Sequence, residues 1–207
     1  MVRMIAIVGF ATALTVSGSL AQQPPKTERI GGTIERVDGN AIYGKGADGS
    51  AITLKLSDKA VITAVTKATF ADIKPGDYVG TGAMPQADGT QKAVELRIFP
   101  KPQEDGGHFY EGWYGAPNGT MTNGFVQPVT ATTPTTGAGE QSIVVKYPQG
   151  EKRIMIPANA HVVRNVFGNK EDLKAGAAFR AAAATKQPDG TYMASAIAVG
   201  RDGTRPF

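Results

Sequence analysis

The chain of 207 residues contains no cysteine, two histidines and one tryptophan. Without cysteine, the protein has to fold without disulfide bonds and has no thiol nucleophile. The G-x-S-x-G turn of hydrolases is also absent. Gly80-Thr81-Gly82 is followed by neither a third glycine nor a helical pattern, so it does not form a phosphate-binding loop. These absences predict a protein that is not an enzyme and binds no cofactor. A hydrolase whose triad assembles only in space stays an open alternative.

Charge is also sparse. The formal net charge is +4, and this value includes Arg3 near the N-terminus. Such a mild excess favours solubility and a weak attraction to anionic surfaces, and it does not specify nucleic acid. We therefore expect no nucleic-acid partner.

The first 21 residues have the pattern of a secretory signal peptide. Arg3 supplies the positive charge, residues 4–16 form an apolar run, and Ser19-Leu20-Ala21 is a small-x-small cleavage site. The apolar run is too short to span a bilayer. We expect cleavage after Ala21, a disordered lead-in over residues 22–28, a periplasmic location and no transmembrane segment after processing.

Two stretches, residues 54–79 and 154–179, match without a gap and indicate an internal duplication. The matching pairs are Leu54 and Ile154, Leu56 and Ile156, Ala60 and Ala160, Ile62 and Val162, Asp72 and Asp172, Ile73 and Leu173, Lys74 and Lys174, Gly76 and Gly176, and Val79 and Phe179. The shared residues are apolar positions, turn residues and caps. The duplication therefore predicts architecture and repeats no reactive group.

Short alternating runs between Asp-Gly pairs predict strands joined by tight turns. The Asp-Gly pairs begin at Asp38, Asp48, Asp88, Asp105, Asp189 and Asp202. Thr69-x-x-Asp72 and Asn169-x-x-Asp172 each predict a capped helical turn. The predicted fold is all-β, with two tandem small OB-like β-barrels that each contain one short helical turn. We place the barrels at residues 29–100 and 119–203, with a connector at 101–118 and a tail at 204–207.

The connector concentrates aromatic residues, and these are the predicted ligand-binding residues: Phe109, Tyr110, Trp113 and Tyr114. Aromatic faces beside glycine are suited to stacking on sugar rings. The alternative is that these side chains plug the junction between two small barrels whose cores are too small on their own. Whether the rings are a site or a plug stays open from sequence.

The same connector contains a weaker candidate metal site. His108 lies close in sequence to Glu104, Asp105 and Glu111, and imidazole with carboxylates can hold a divalent ion. The segment has adjacent glycines and no second histidine, which favours a polar loop. His161 lies where the first copy has Val61, so we expect a strand residue at an edge or partly buried.

The chain resembles a family of exported bacterial proteins of unknown function that carry small β-barrel domains, often in tandem. The resemblance covers nearly all of the chain after the signal peptide. It rests on Asp72-Ile73-Lys74-Pro75-Gly76-Asp77-Tyr78-Val79, Leu96-Arg97-Ile98-Phe99-Pro100, Met121-Thr122-Asn123 and Val199-Gly200-Arg201-Asp202-Gly203. It implies the fold and no catalytic residues.

The sequence thus predicts a non-catalytic binding or interaction module of the cell envelope. Its partner would be a carbohydrate, a lipid headgroup or another protein, and homo-oligomer formation stays open. A periplasmic metal-handling accessory that uses His108 is the first alternative function. The hydrolase with a spatial triad is the second.

Overall fold

The computed structural model describes residues 26–102, 106–110, 117–128 and 141–206. These residues form twelve strands and two single-turn helical segments. The strands are β1 (Thr27–Asp38), β2 (Ala41–Lys45), β3 (Ala51–Lys67), β4 (Tyr78–Pro85), β5 (Gln91–Ile98), β6 (Gly107–Tyr110), β7 (Thr120–Val126), β8 (Gln141–Tyr147), β9 (Gly150–Ile156), β10 (His161–Phe167), β11 (Ala178–Lys186) and β12 (Tyr192–Gly200). In this part of the chain, no helix is both long and apolar enough to cross a membrane. The predicted all-β class is confirmed.

Five of the strands close into a barrel, which we call the first barrel. Its strand order is β12-β11-β1-β2-β3, and β3 closes the circle by pairing in parallel with β12 from Leu54 and Tyr192 to Val65 and Gly200. Apolar residues alternate toward the inside, as expected for strands with one buried face. The buried side chains of its interior include those of Ile34, Ile42, Leu54, Leu56, Phe179, Ile197 and Val199.

Strands β4, β5, β7, β8 and β9 pair in a second circle, which we call the second ring. Its order is β5-β4-β7-β8-β9, and two parallel residue pairs between β5 and β9 close it. Strand β6 lies outside the circle and pairs with β7. The second ring has its own apolar interior, which includes Val79, Leu96, Ile98, Val126, Ile143, Val145, Ile154 and Ile156.

Both circles take strands from both halves of the chain. The first barrel combines β1–β3 with β11 and β12, while β4 and β5 pair with β7, β9 and β10. The strand pairing therefore crosses the predicted boundaries at residues 100 and 119. The prediction of two tandem barrels, each made from one contiguous stretch, is not confirmed.

The duplicated segments meet at the centre of the molecule. Strands β3 and β10 run antiparallel, and Val65 pairs with its own counterpart Asn165. The backbone hydrogen bonds on either side of the Val65–Asn165 pair are reciprocal. The amide of Ala68 donates to the carbonyl of Val162 at 3.1 Å, and the amide of Gly168 donates to the carbonyl of Ile62 at 3.0 Å. The two copies are thus related by an approximate two-fold axis through β3 and β10.

The predicted turns are confirmed wherever the structure describes them. The carboxylate of Asp72 accepts from the backbone amide of Thr69 at 2.8 Å, and that of Asp172 accepts from the amide of Asn169 at 2.9 Å. Each pair caps a single helical turn. The glycine after the aspartate has a positive φ in the Asp-Gly pairs that begin at Asp38, Asp48, Asp88, Asp189 and Asp202. Asp105 lies outside the described residues.

Candidate functional site: a basic pocket in the first barrel

Most of the residues predicted to bind a ligand or a metal fall outside the described part of the chain, namely Glu104, Asp105, Glu111, Trp113 and Tyr114. Phe109 and Tyr110 lie on β6, where they pair with Met121 and Thr120 of β7. The Phe109 side chain is 38% exposed and its ring lies over Gly107. Whether the aromatic group is a binding surface or a plug stays a prediction.

His108 is held by the sheet. Its Nδ1 lies 2.8 Å from Oγ1 of Thr122, and its ring stacks on Tyr147 with a centroid distance of 6.2 Å. Burial lowers the pKa of His108, and Lys152 lowers it further. Among the described residues, no three His, Asp or Glu side chains come together in a way that could hold a metal ion. The carboxylates predicted to join His108 lie outside those residues.

His161 begins β10 and is partly buried, as predicted for a strand residue. It pairs with Glu95 of β5, next to Arg97. Burial lowers the pKa of His161, and Arg97 adds to this effect. Glu95 is buried and forms an ion pair with Arg97 at 3.0 Å. Burial raises the pKa of Glu95, and the charges of Arg97 and Arg180 oppose that rise.

The strand pairing contains two matching locations, one on each circle of strands. Strand pairing defines the equivalence, since Tyr78 pairs with Phe125 in the second ring and Ala178 pairs with Thr33 in the first barrel. One location lies where β4 pairs with β7, and the other lies where β11 pairs with β1. The two copies differ sharply there.

In the second ring, aromatic side chains fill this location. The rings of Tyr78 and Phe125 meet edge-on at 5.1 Å between centroids, and those of Tyr78 and Phe99 at 6.0 Å. The ring of Phe99 lies directly over Gly80, so closely that a Cβ on Gly80 would come within 2.9 Å of it. Tyr147 follows Lys146, the residue paired with Phe125, and carries the stacked His108. Aromatic rings therefore occupy this location in the described part of the second ring.

In the first barrel, small residues replace the aromatic ones. The equivalent residues are Ala178 for Tyr78, Thr33 for Phe125, Gly200 for Phe99 and Gly46 for Tyr147. A pocket of about 450 Å³ lies beside three of these positions, Thr33, Gly46 and Ala178. Arg180 lines the same pocket and is the counterpart of Gly80. The pocket therefore lies where small and basic residues stand at positions that match aromatic residues and a glycine of the second ring.

The pocket lining is basic. Its charged side chains are those of Arg29, Lys45, Arg180 and Arg205, and no carboxylate side chain is among the described residues that line it. Burial lowers the pKa of Arg180 to about 10, and the charges of Arg29 and Arg97 act in the same direction. A pKa of about 10 still leaves Arg180 protonated at pH 7. Arg180 is half-buried, whereas Arg29, Lys45 and Arg205 are exposed. Four cations around one concave site create a positive potential that attracts an anion.

Bare backbone forms one wall of the pocket. A Cβ on Gly32 would collide with the carbonyl group of Lys45, so only glycine fits where β1 and β2 part. Gly31 and Gly46 lie beside it in the lining. This wall is therefore tightly packed, with neighbouring protein atoms where side chains would otherwise stand.

The segment after β12 forms another wall and is firmly anchored. Arg201 donates to both carboxylate oxygens of Asp172, at 2.6 and 3.0 Å, and its backbone amide donates to the carbonyl of Val65 at 2.9 Å. The carbonyl of Thr204 lies directly against Cα of Gly200, where any side chain would displace it. These contacts hold Arg205 beside the pocket.

A larger cleft of about 900 Å³ lies on the other side of Arg205. Its lining is chemically mixed, because Lys67, His161 and Arg205 lie there together with Asp202. No single ligand class matches this lining. The basic pocket is the more specific candidate.

No protein-family model, curated protein or solved structure matches the chain. The pocket therefore has to be interpreted from its own geometry. Sequence reasoning missed its four cations because they lie far apart in sequence. One signal was available, since Arg180 stands opposite Gly80 when the ungapped match is extended by one residue beyond Phe179.

Proposed function

We propose that this chain is a non-catalytic binding module of the bacterial cell envelope, and that it recognises an anionic group at the basic pocket. The observation that supports this proposal is a difference between two matching locations. Aromatic side chains occupy the location in the second ring, whereas small and basic residues line a pocket at the location in the first barrel. A carboxylate or phosphate group fits the lining, because arginine forks bind such groups through charge-assisted hydrogen bonds. An acidic sugar, a lipid headgroup or an acidic protein segment would supply it.

The architecture we propose is a pair of small OB-like barrels that exchange strands. It is supported by the two circles of strand pairing, the two separate apolar interiors and the capped turn in each copy. An OB-like barrel binds its ligands on strand faces and on the adjoining loops. The basic pocket, between strand β1 and the segment after β12, has such a position.

Export to the periplasm is part of the same proposal. Support comes from the N-terminal sequence pattern. An envelope compartment contains acidic glycans and anionic headgroups in abundance, which agrees with the charge of the pocket.

The proposal is tested by calorimetric titration with three probes: inorganic phosphate, citrate and galacturonate. We expect binding in the micromolar to millimolar range, and the substitution Arg180→Gly, which restores the residue of the other copy, should weaken it at least tenfold. A tenfold loss corresponds to about 1.4 kcal/mol, the lower end of the range for a hydrogen bond to a charged group. Lys45→Ala should weaken binding as well.

The duplication supplies a matched control. Lys146 is the counterpart of Lys45 in the second ring, so Lys146→Ala should leave the affinity unchanged. Ala178→Tyr, which copies the location in the second ring, should remove binding while the circular dichroism spectrum is preserved. Absence of binding by all three probes, or equal losses for Lys45→Ala and Lys146→Ala, would refute the proposal.

A further inference from the structure

The basic pocket and the larger cleft meet at the segment after β12. Arg205 lines both cavities, while Thr204 lines the cleft and Pro206 lines the basic pocket. Arg205 is exposed, and the bonds between Arg201 and Asp172 anchor the segment that carries it. A ligand that contacts Arg205 can therefore extend in two directions, into the basic pocket and into the cleft.

The cleft lies beside the capped turn that follows β3, and the matching location beside the second capped turn has a different chemistry. There Lys170 donates to the side-chain oxygen of Asn40 at 3.0 Å, and the side-chain amide of Asn40 donates to Asp58 at 3.0 Å. In the ungapped match, Phe70 and Ala158 stand at the positions of Lys170 and Asp58. Their side chains have no hydrogen-bonding groups, so they cannot form such a bridge, and both line the cleft.

The lining of the cleft combines three kinds of group. Phe70 supplies an aromatic ring that is partly buried against the interior of the second ring. Thr204 and Asp202 supply hydrogen-bonding oxygens, and Lys67 and Arg205 supply positive charge. Sugar rings have apolar faces and hydroxyl edges, so aromatic and polar partners suit them together. By itself the cleft selects no ligand class, but next to the basic pocket it suits a chain of sugars that carries carboxylates.

We infer that the basic pocket and the cleft together bind an acidic oligosaccharide, with one carboxylate in the pocket and further sugar units in the cleft. This inference rests on the proposed function and specifies the ligand class of the same site. The cleft volume of about 900 Å³ lies near the upper end of the range for ligand sites, roughly 300–1,000 Å³, so the cleft has room for more than one sugar ring. Linked units bind more tightly than a single unit, because each further contact is intramolecular.

The probe is trigalacturonate, titrated into the full chain by calorimetry and compared with galacturonate. We expect the trimer to bind at least about tenfold more tightly than the monomer. Lys67→Ala removes a positive charge from the cleft and Ala158→Asp adds a negative one, so each should weaken trimer binding about fivefold. Neither variant should change the affinity for galacturonate or inorganic phosphate, because both positions lie outside the lining of the basic pocket.

Asn159→Asp is the matched control for Ala158→Asp. It adds the same charge at the next residue, which is also exposed and lies outside the lining of the cleft. At physiological ionic strength this charge is screened from a ligand in the cleft, so trimer binding should stay unchanged. Circular dichroism spectra of all three variants should match that of the parent.

Three results would overturn the inference. Equal affinities for trigalacturonate and galacturonate would show that the cleft takes no part in binding. Equal losses for Ala158→Asp and Asn159→Asp would show an effect of overall charge alone. Binding of the blocked peptide acetyl-Asp-Asp-Asp-amide as tightly as trigalacturonate would indicate an acidic protein segment as the partner. Binding of inorganic phosphate in the basic pocket would survive each of these results, so failure here is distinguishable from failure of the proposed function.

Discussion

Asp172 connects two parts of the structure through one carboxylate. It caps the helical turn after β10 and accepts two hydrogen bonds from Arg201. Its pKa lies below the usual value, first because of the hydrogen bond from Arg201, with burial acting in the opposite direction. A carboxylate whose pKa is lower in the folded state stabilises the protein above its unfolded pKa of about 4, and this contribution is lost as pH falls further.

We therefore expect Asp172→Asn to lower the thermal midpoint at pH 7 by a few degrees. The difference between the variant and the parent should shrink as pH falls below about 4, since the parent carboxylate is then progressively protonated. The measurement is a set of thermal melts between pH 2 and pH 7.

Asp72→Asn is the matched control. Asp72 caps the equivalent turn through Thr69, and Arg164 donates to its backbone carbonyl rather than to its carboxylate. Asp72→Asn should lower the stability less than Asp172→Asn does. Only Asp172→Asn should also weaken anion binding, because loss of the Arg201 contacts loosens the segment that holds Arg205. A larger loss for the control would contradict the role assigned to Arg201.

The sequence predicted the turn residues of the structure but not the residues of the pocket. The capped turns and Asp-Gly turns depend on neighbours within four residues, so the sequence indicates them directly. The basic pocket depends on Arg29, Arg180 and Arg205, which meet only after the strands have paired. No local pattern marks such a site.

At the scale of the elements, the pairing of β3 with β10 contains one polar residue on the two-fold axis. Asn165 is 7% exposed, and its Oδ1 has no hydrogen-bond partner in the described residues. Its counterpart Val65 is fully buried in the same pairing. A buried acceptor without a partner costs free energy that an apolar side chain of similar shape does not.

Asn165→Val should therefore raise the free energy of unfolding by about 1 kcal/mol. Urea denaturation followed by circular dichroism measures the change, and the slope of the transition should stay constant. Asn165→Asp serves as the contrast, since a carboxylate at this position should destabilise the protein. Destabilisation by Asn165→Val would mean that the side-chain amide of Asn165 makes hydrogen bonds that stabilise the pairing of β3 with β10.

Strand content was predictable, whereas strand partners were not. Alternation along β3, β5 and β12 identifies a buried face and an exposed face. The duplication then makes the assignment of partners ambiguous, because β4 and β11 share the same pattern and either could pair with β1 or β7. Only the packing of the whole chain selects between them.

At the scale of the whole molecule, the exchange of strands makes each half dependent on the other. Residues 22–102 contain β1–β3, whose barrel needs β11 and β12, and β4–β5, whose ring needs β7–β9. We expect neither residues 22–102 nor residues 103–207 to fold as a monomer. Mixed together, the two fragments should recover the circular dichroism spectrum of the intact chain.

Sedimentation combined with denaturation distinguishes the outcomes. An isolated half should be unfolded or should form a symmetric dimer in which two copies exchange strands. A folded monomer with a cooperative unfolding transition would show that each half closes its own barrel. The intact chain should unfold in a single transition, since both apolar interiors lose strands together.

The parallel pairing of β3 with β12 has a consequence for how the chain reaches its final state. Paired residues of these strands lie far apart in the chain, since Tyr192 pairs with Leu54 and Gly200 pairs with Val65. Contacts so distant along the chain raise the contact order and slow folding. A ribosome or a translocation channel delivers the N-terminal strands first. The edge of β3 therefore stays unpaired until β12, the last strand, has emerged. A protein built in this way needs protection against aggregation until its final residues emerge.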